Sequence, residues 1–164
     1  MSQGDLDKTV DSLNQIEPGN LKGQPVFLIP YYINSCCVAL ELDNVKVAEC
    51  YLGLAEGLIV RIKGKALRVL SESIRSCRAE ILRINGELNE SKRIFTELLQ
   101  SKPVKFNRLS YLYNLALIEF ELNNNDIAKQ YFDEVIRDGN KLYTVSLSKQ
   151  KLSELTENKI EMPT

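Results

Sequence analysis

Residues 109–136 read LSYLYNLALIEFELNNNDIAKQYFDEVI, and this stretch decides the fold. On both sides of the polar run 123–126, apolar residues recur every three or four positions, which is the spacing of an α-helix. The run Asn-Asn-Asn-Asp is typical of a turn that also caps the following helix. The stretch therefore predicts two antiparallel helices joined by a tight turn.

The same arrangement occurs at three further places along the chain. Turn-forming residues at 4–8, 42–45 and 86–90 each precede an amphipathic segment. A small residue follows each of the four turns, at spacings of 39, 43 and 37 (Thr9, Ala48, Ser91 and Ala128). Repetition at such a period is the sequence signature of a solenoid. The apolar run 26–29 lies between two prolines and leads into a helix, so we expect no strand there.

These patterns predict an all-α fold, a right-handed α-solenoid of stacked antiparallel helix hairpins with about seven to nine helices. The length and the average composition of the chain suit a single domain. We expect this domain at residues 1–156, with a half repeat at 4–18, repeats at 27–60, 65–103 and 107–138, a C-terminal capping helix at 140–156, and a flexible tail at 157–164.

Over residues 5–140 the chain resembles the tetratricopeptide repeat family. Units of that family are helix–turn–helix hairpins with a small residue in each helix, an aromatic residue before the end and a closing proline. Glu119 stands where a tyrosine is usual. The matching residues are Tyr113, Asn114, Leu115, Ala116, Ala128 and Phe132 in one unit, Ala79, Gly86, Ser91, Phe95 and Pro103 in another, and Tyr32, Cys36, Asp43, Asn44, Ala48 and Leu52 in a third.

The resemblance implies a scaffold that binds a peptide or protein segment in a concave groove, lined by the first helix of each unit. Asn34 and Asn114 fall at the same register, where an amide can both donate to and accept from a peptide backbone. One groove of the family clamps a C-terminal carboxylate with lysines, but Ile33 and Ser110 occupy those positions here, so we expect no such clamp. The expected groove residues are Ile33, Asn34, Cys37, Glu41, Ser76, Cys77, Glu80, Arg83, Tyr113, Asn114, Leu117 and Glu121.

The formal net charge of −1 hides an uneven distribution. The net charge is −5 over residues 1–57, +7 over 58–108 and −3 over 109–164. The basic patch in the middle consists of Arg61, Lys63, Lys65, Arg68, Arg75 and Arg78. It is either a solvated face paired with acidic neighbours or a docking site for an anionic ligand. Two alternatives to a peptide-binding groove follow: a regulatory sensor that binds a small peptide or anion through 61–83, and a self-associating assembly subunit.

Several classes of protein are excluded or disfavoured by what the sequence lacks. It contains no histidine, which excludes Ser-His-Asp and Cys-His catalysis and His-ligated metal sites. It also has no Gly-rich phosphate loop and no G-x-S-x-G motif. We therefore expect no enzymatic activity, no cofactor and no metal. Aromatic residues are not interleaved with the basic ones, so we expect no nucleic-acid partner.

The location of the protein is predicted from its cysteines and its apolar runs. Cys36, Cys37, Cys50 and Cys77 form no C-x-x-C motif, so we expect reduced thiols that behave as small hydrophobes. No run of 18 apolar residues occurs, and the N-terminus is polar and acidic. We expect a soluble, cytoplasmic protein. Because bacterial proteins of the resembled family often carry an N-terminal membrane anchor, a soluble portion of an anchored protein is the alternative if the chain is a fragment.

Overall fold

The computed structural model describes residues 3–21, 23–140 and 143–160 and, within these ranges, the side chains of residues 7–155. This part of the chain is helical and contains no strand, so the prediction of an all-α fold with seven to nine helices is confirmed. It comprises α1 (Gln3–Asn14), a 3-10 helix (Pro18–Leu21), α2 (Pro25–Glu41), α3 (Val45–Ile59), α4 (Gly64–Ile84), α5 (Leu88–Gln100), α6 (Lys105–Glu121), α7 (Asn125–Gly139) and α8 (Tyr143–Ile160).

The helices form two compact units, Met1–Glu87 and Leu88–Thr164. In the first unit α2 packs on α3, α4 contacts both of them, and α1 contacts α2. In the second unit α6 packs on α5, α7 and α8, and α7 also packs on α8. Within each unit, helices that follow one another in sequence are thus neighbours, as a solenoid-like stack of hairpins requires. The boundary between the units falls inside the predicted repeat 65–103.

Three turns with the same hydrogen-bond pattern separate α2 from α3, α4 from α5, and α6 from α7. Each has a residue in the left-handed region, with φ 55° at Asp43, 84° at Gly86 and 61° at Asn123. The amide of the next residue donates back to a carbonyl five positions earlier, at 2.8 Å in all three turns. This is the Schellman motif, which ends a helix and satisfies its last carbonyl groups. Asp, Gly and Asn are the residues that adopt this conformation at least cost.

The turns set a register in which the same positions are buried in each repeat. The predicted anchors Ala48, Ser91 and Ala128 each lie five residues after the left-handed residue, and all three are fully buried. Full burial repeats four residues later at Leu52, Phe95 and Phe132, then at Ala55, Leu98 and Val135, and in the first helices at Cys36, Ala79 and Ala116. Small residues let the helices approach closely, and the larger residues fill the space between them. The helices on either side of these three turns thus share one pattern of burial.

Two local expectations were wrong. The predicted turn at 4–8 is part of α1, which begins at Gln3. Acidic residues favour the first turn of a helix, and Asp5 is the third residue of α1. The capping helix continues to Ile160, which places residues 157–160 in α8 instead of a tail. Residues 161–164 of the expected tail lie outside the described residues.

The C-terminal end of α7 approaches α8 so closely that only glycine fits there. A Cβ atom added at Gly139 would overlap Cγ2 of Val145, a side chain that packs on Leu109 and Val135. We predict that Gly139→Ala lowers the free energy of unfolding by about 1–3 kcal/mol, the usual cost of overpacking a core. Urea unfolding followed by circular dichroism measures the change.

Gly53 provides the matched control for this substitution. It lies inside α3, and a Cβ atom there would meet nothing within 4 Å apart from its chain neighbours and the backbone of its own helix. Because glycine weakens a helix interior, Gly53→Ala should raise the free energy of unfolding by about 0.5–1 kcal/mol. Equal changes for the two variants would contradict the close approach of α7 and α8.

Candidate functional site

In the first unit, the structure brings together the groove residues that were predicted from two successive repeats. The helices α2 and α4 are the first helices of these two repeats, and we call the line along which they are in contact the α2–α4 seam. Sγ of Cys37 in α2 lies 3.8 Å from Sγ of Cys77 in α4. Further along the seam, Glu41 of α2 and Arg83 of α4 both act electrostatically on Glu80. Residues 40 positions apart in sequence are thus in contact across the two helices.

The seam residues differ in how much of each side chain a ligand can reach. Asn34 and Glu41 are exposed, and Cys37, Ser76, Glu80 and Arg83 are half-buried. Ile33 and Cys77 belong instead to the hydrophobic core of the unit, together with Cys36 and Leu52. A bound segment would therefore meet an amide, two carboxyl groups and a guanidinium group above an apolar floor.

The electrostatics of the seam centre on Glu80. Burial raises the pKa of its carboxyl group above the usual value, Glu41 raises it further, and Arg83 opposes the rise. A hydrogen-bond donor on a ligand would stabilise this carboxylate, because burial penalises its charged form. The exposed amide of Asn34 can offer both a donor and an acceptor. Together these groups are suited to the amides and polar side chains of an extended chain.

In the second unit, the predicted groove residues of α6 are less accessible. Asn114 is only 5% exposed, and its Nδ2 donates to the carbonyl oxygen of Ser110 at 3.1 Å. Its Oδ1 is buried without a hydrogen-bond partner among the described residues. Tyr113 and Leu117 are half-buried, and the ring of Tyr113 lies 6.1 Å from that of Phe132. Glu121 is exposed.

Asn34 and Asn114 thus share a register but not an environment. Both lie nine residues before the left-handed residue of their turn. The difference arises from packing, because α6 is contacted by α5, α7 and α8 and little of its surface remains open. The exposed Asn34 can reach a ligand, whereas the amide of Asn114 is sealed inside its unit.

The basic patch is partly neutralised by carboxylates of the same unit. Arg78 donates two short hydrogen bonds to Glu56 of α3, at 2.6 and 2.7 Å. Arg68 pairs with Glu72 one turn further along α4, at 3.2 Å. Arg61, Lys63, Lys65 and Arg75 are exposed. If the basic patch is a solvated face that is paired with acidic neighbours, ion pairs such as those of Arg68 and Arg78 are expected.

Two features of the structure were not predicted from the sequence. An open pocket of about 250 Å³ lies between α1, α2 and α3, and Val10, Leu13, Tyr31, Leu42 and Tyr51 are among the residues that line it. In the second unit, the buried carboxylate of Glu119 accepts from Nζ of Lys92 at 2.7 Å and from Nδ2 of Asn124 at 2.8 Å. In the sequence, Glu119 lies on a helix face that is otherwise apolar, and this placement could have indicated a buried charge.

The cysteines of the chain are all free thiols. Within the described residues, no three His, Cys, Asp or Glu side chains are arranged so that they could hold a metal ion. None of the described helices combines the length and the apolar character that a bilayer crossing requires.

In comparisons with known proteins, no family model, no curated protein and no solved structure matches this chain.

Proposed function

We propose that this chain is a non-enzymatic interaction module that binds an extended peptide or protein segment along its first helices. The α2–α4 seam is the observation that carries the proposal. Its exposed amide and carboxyl groups, Asn34 and Glu41, lie on α2, and the half-buried Glu80 of α4 interacts electrostatically with Glu41, so an extended chain could contact both helices. The resemblance of the hairpins to tetratricopeptide repeats supports the same function, and we propose that the chain is a divergent relative of that family.

Asn34 is the seam residue best placed to recognise a peptide backbone. It is exposed, and it lies one helical turn from Cys37, which marks the contact with α4. A side-chain amide can donate a hydrogen bond to a backbone peptide group of the ligand and accept one from it. Such binding does not depend on the side chains of the peptide. Asn34 would therefore contribute affinity for extended peptides in general, and Glu41, Glu80 and Arg83 would contribute selectivity.

The test begins with peptides selected from a random displayed library on the intact chain. The dissociation constant of a selected peptide is then measured by fluorescence anisotropy. We predict that Asn34→Ala weakens binding by about tenfold or more, because each of the two lost hydrogen bonds is worth about 0.5–1.5 kcal/mol and tenfold corresponds to about 1.4 kcal/mol. Asn89→Ala is the matched control, since Asn89 is an exposed asparagine on the second helix α5, and it should change the affinity less than twofold.

Other outcomes of the same experiment would favour the competing functions. Equal affinity for wild type, Asn34→Ala and Asn89→Ala would contradict a seam that reads the peptide backbone. If the selected peptides are acidic and their affinity falls steeply between low and moderate salt, the basic patch is the binding surface. We expect only a weak dependence on salt.

We also propose a cytoplasmic location. Four free thiols, one of them the exposed Cys50, suit a compartment that keeps cysteines reduced.

A further inference from the structure

Two thiols face each other across the α2–α4 seam in a way that the peptide-binding proposal does not use. Cys37 and Cys77 come from different helices, and their Sγ atoms are 3.8 Å apart. A disulfide needs about 2.05 Å between its sulfur atoms, so closure requires a movement of about 2 Å. Rotation about χ1 of either cysteine moves its sulfur by more than that without moving the helix backbone.

The two thiols also differ in accessibility in the way that a two-step oxidation requires. Cys37 is half-buried and can be reached from outside, whereas Cys77 is only 4% exposed and lies behind it. Hydrogen bonding to Cys36 and Cys37, together with burial, raises the pKa of Cys77 above its ordinary value. Of the two residues, Cys37 is therefore the one that meets an oxidant first.

We propose that Cys37 and Cys77 are an oxidisable pair that forms a disulfide between α2 and α4 in the presence of a hydroperoxide. In the first step the sulfur of Cys37 attacks the peroxide. An S–O bond forms, the O–O bond breaks, and the thiol proton leaves with the displaced oxygen as water or an alcohol. In the second step Cys77 gives up its proton, and its thiolate attacks the sulfenic sulfur. The S–S bond forms, the S–O bond breaks, and the hydroxide leaves with the proton of Cys77 as water.

The pair loses two electrons in total, and the peroxide gains them. The cross-link ties the first helix of one repeat to that of the next, at the place where a bound peptide is proposed to lie. It would hold the seam at a fixed width. Formation of the disulfide does not depend on the peptide-binding function and is tested without a peptide.

The test is a thiol count on the intact chain, treated at low protein concentration with one equivalent of hydrogen peroxide. We expect the number of titratable thiols to fall from the four of the sequence to two, and a dithiol reductant to restore them. Trypsin cleaves after lysine and arginine, so the cross-link joins the fragments 23–46 and 76–78, whereas Cys50 lies in 47–61. The mass of the joined fragments identifies the bond directly.

Variants then assign the partner of Cys77, because Cys36 and Cys37 share one fragment. Cys37→Ala should retain its three thiols after treatment, whereas Cys36→Ala and the control Cys50→Ala should each fall from three to one. A thiol count that stays at four in the wild type would overturn the proposal. A disulfide that persists in Cys37→Ala would overturn it as well, since Cys36 would then be the partner.

Discussion

Phe132→Ala is expected to lower the free energy of unfolding by about 3–5 kcal/mol, the range for a large aromatic residue removed from a core. Phe132 is fully buried in the second unit, where it packs with Ala116, Ala128 and Leu155. Leu52 and Phe95 lie at the same distance after their own turns, and they are fully buried as well. The cavity would open where α6, α7 and α8 meet. Equilibrium unfolding in urea measures the loss.

Phe106 provides the control for this prediction. It lies in the first turn of α6 and is 65% exposed. Phe106→Ala should change the free energy of unfolding by less than about 0.5 kcal/mol, as is usual for surface substitutions. A loss of similar size in both variants would contradict the burial of Phe132 in the core and the exposure of Phe106.

Lys92→Met is expected to destabilise the second unit by about 2–3 kcal/mol at neutral pH. The side chain of Glu119 is only 2% exposed, and Lys92 supplies its cationic partner at 2.7 Å. Without Lys92 the carboxylate stays buried with a single neutral donor from Asn124. We place the loss below that of a fully buried ion pair, because Lys92 itself is 40% exposed.

The double variant Lys92→Met/Glu119→Leu separates this explanation from a simple loss of packing. Removing both charges should recover most of the stability that the single variant loses. Lys129→Met is the matched control, because both partners of the Lys129–Asp133 ion pair are more than half exposed. It should cost less than about 0.5 kcal/mol. A double variant as unstable as Lys92→Met would contradict the account.

The repeats were predictable because their signals are local. Asp43, Gly86 and Asn123 are residues that tolerate the left-handed conformation, and a small residue follows each turn at a fixed distance. Turn chemistry and helical periodicity act over fewer than ten residues, so a single sequence is enough to show them. The predicted turn at 4–8 failed for the same local reason, since an aspartate such as Asp5 suits both a turn and the first turn of a helix.

The features that were not predicted depend on packing between distant residues. Asn34 and Asn114 are the same residue type at the same register, yet only the contacts of α6 with three other helices bury the second one. The partners of Glu119 and Arg78, which are Lys92 and Glu56, are 27 and 22 positions away and lie on other helices. No spacing rule within one helix identifies such pairs.

Peptide binding along the first helices is the central claim, and mapping a selected peptide onto the backbone tests it most directly. The measurement is the change in amide chemical shifts of the intact, isotope-labelled chain when the peptide is added. We predict that the largest changes cluster on α2 and α4 around Asn34, Glu41 and Glu80. Changes centred on the basic connection at 61–65, or on the second helices α3, α5 and α7, would contradict it.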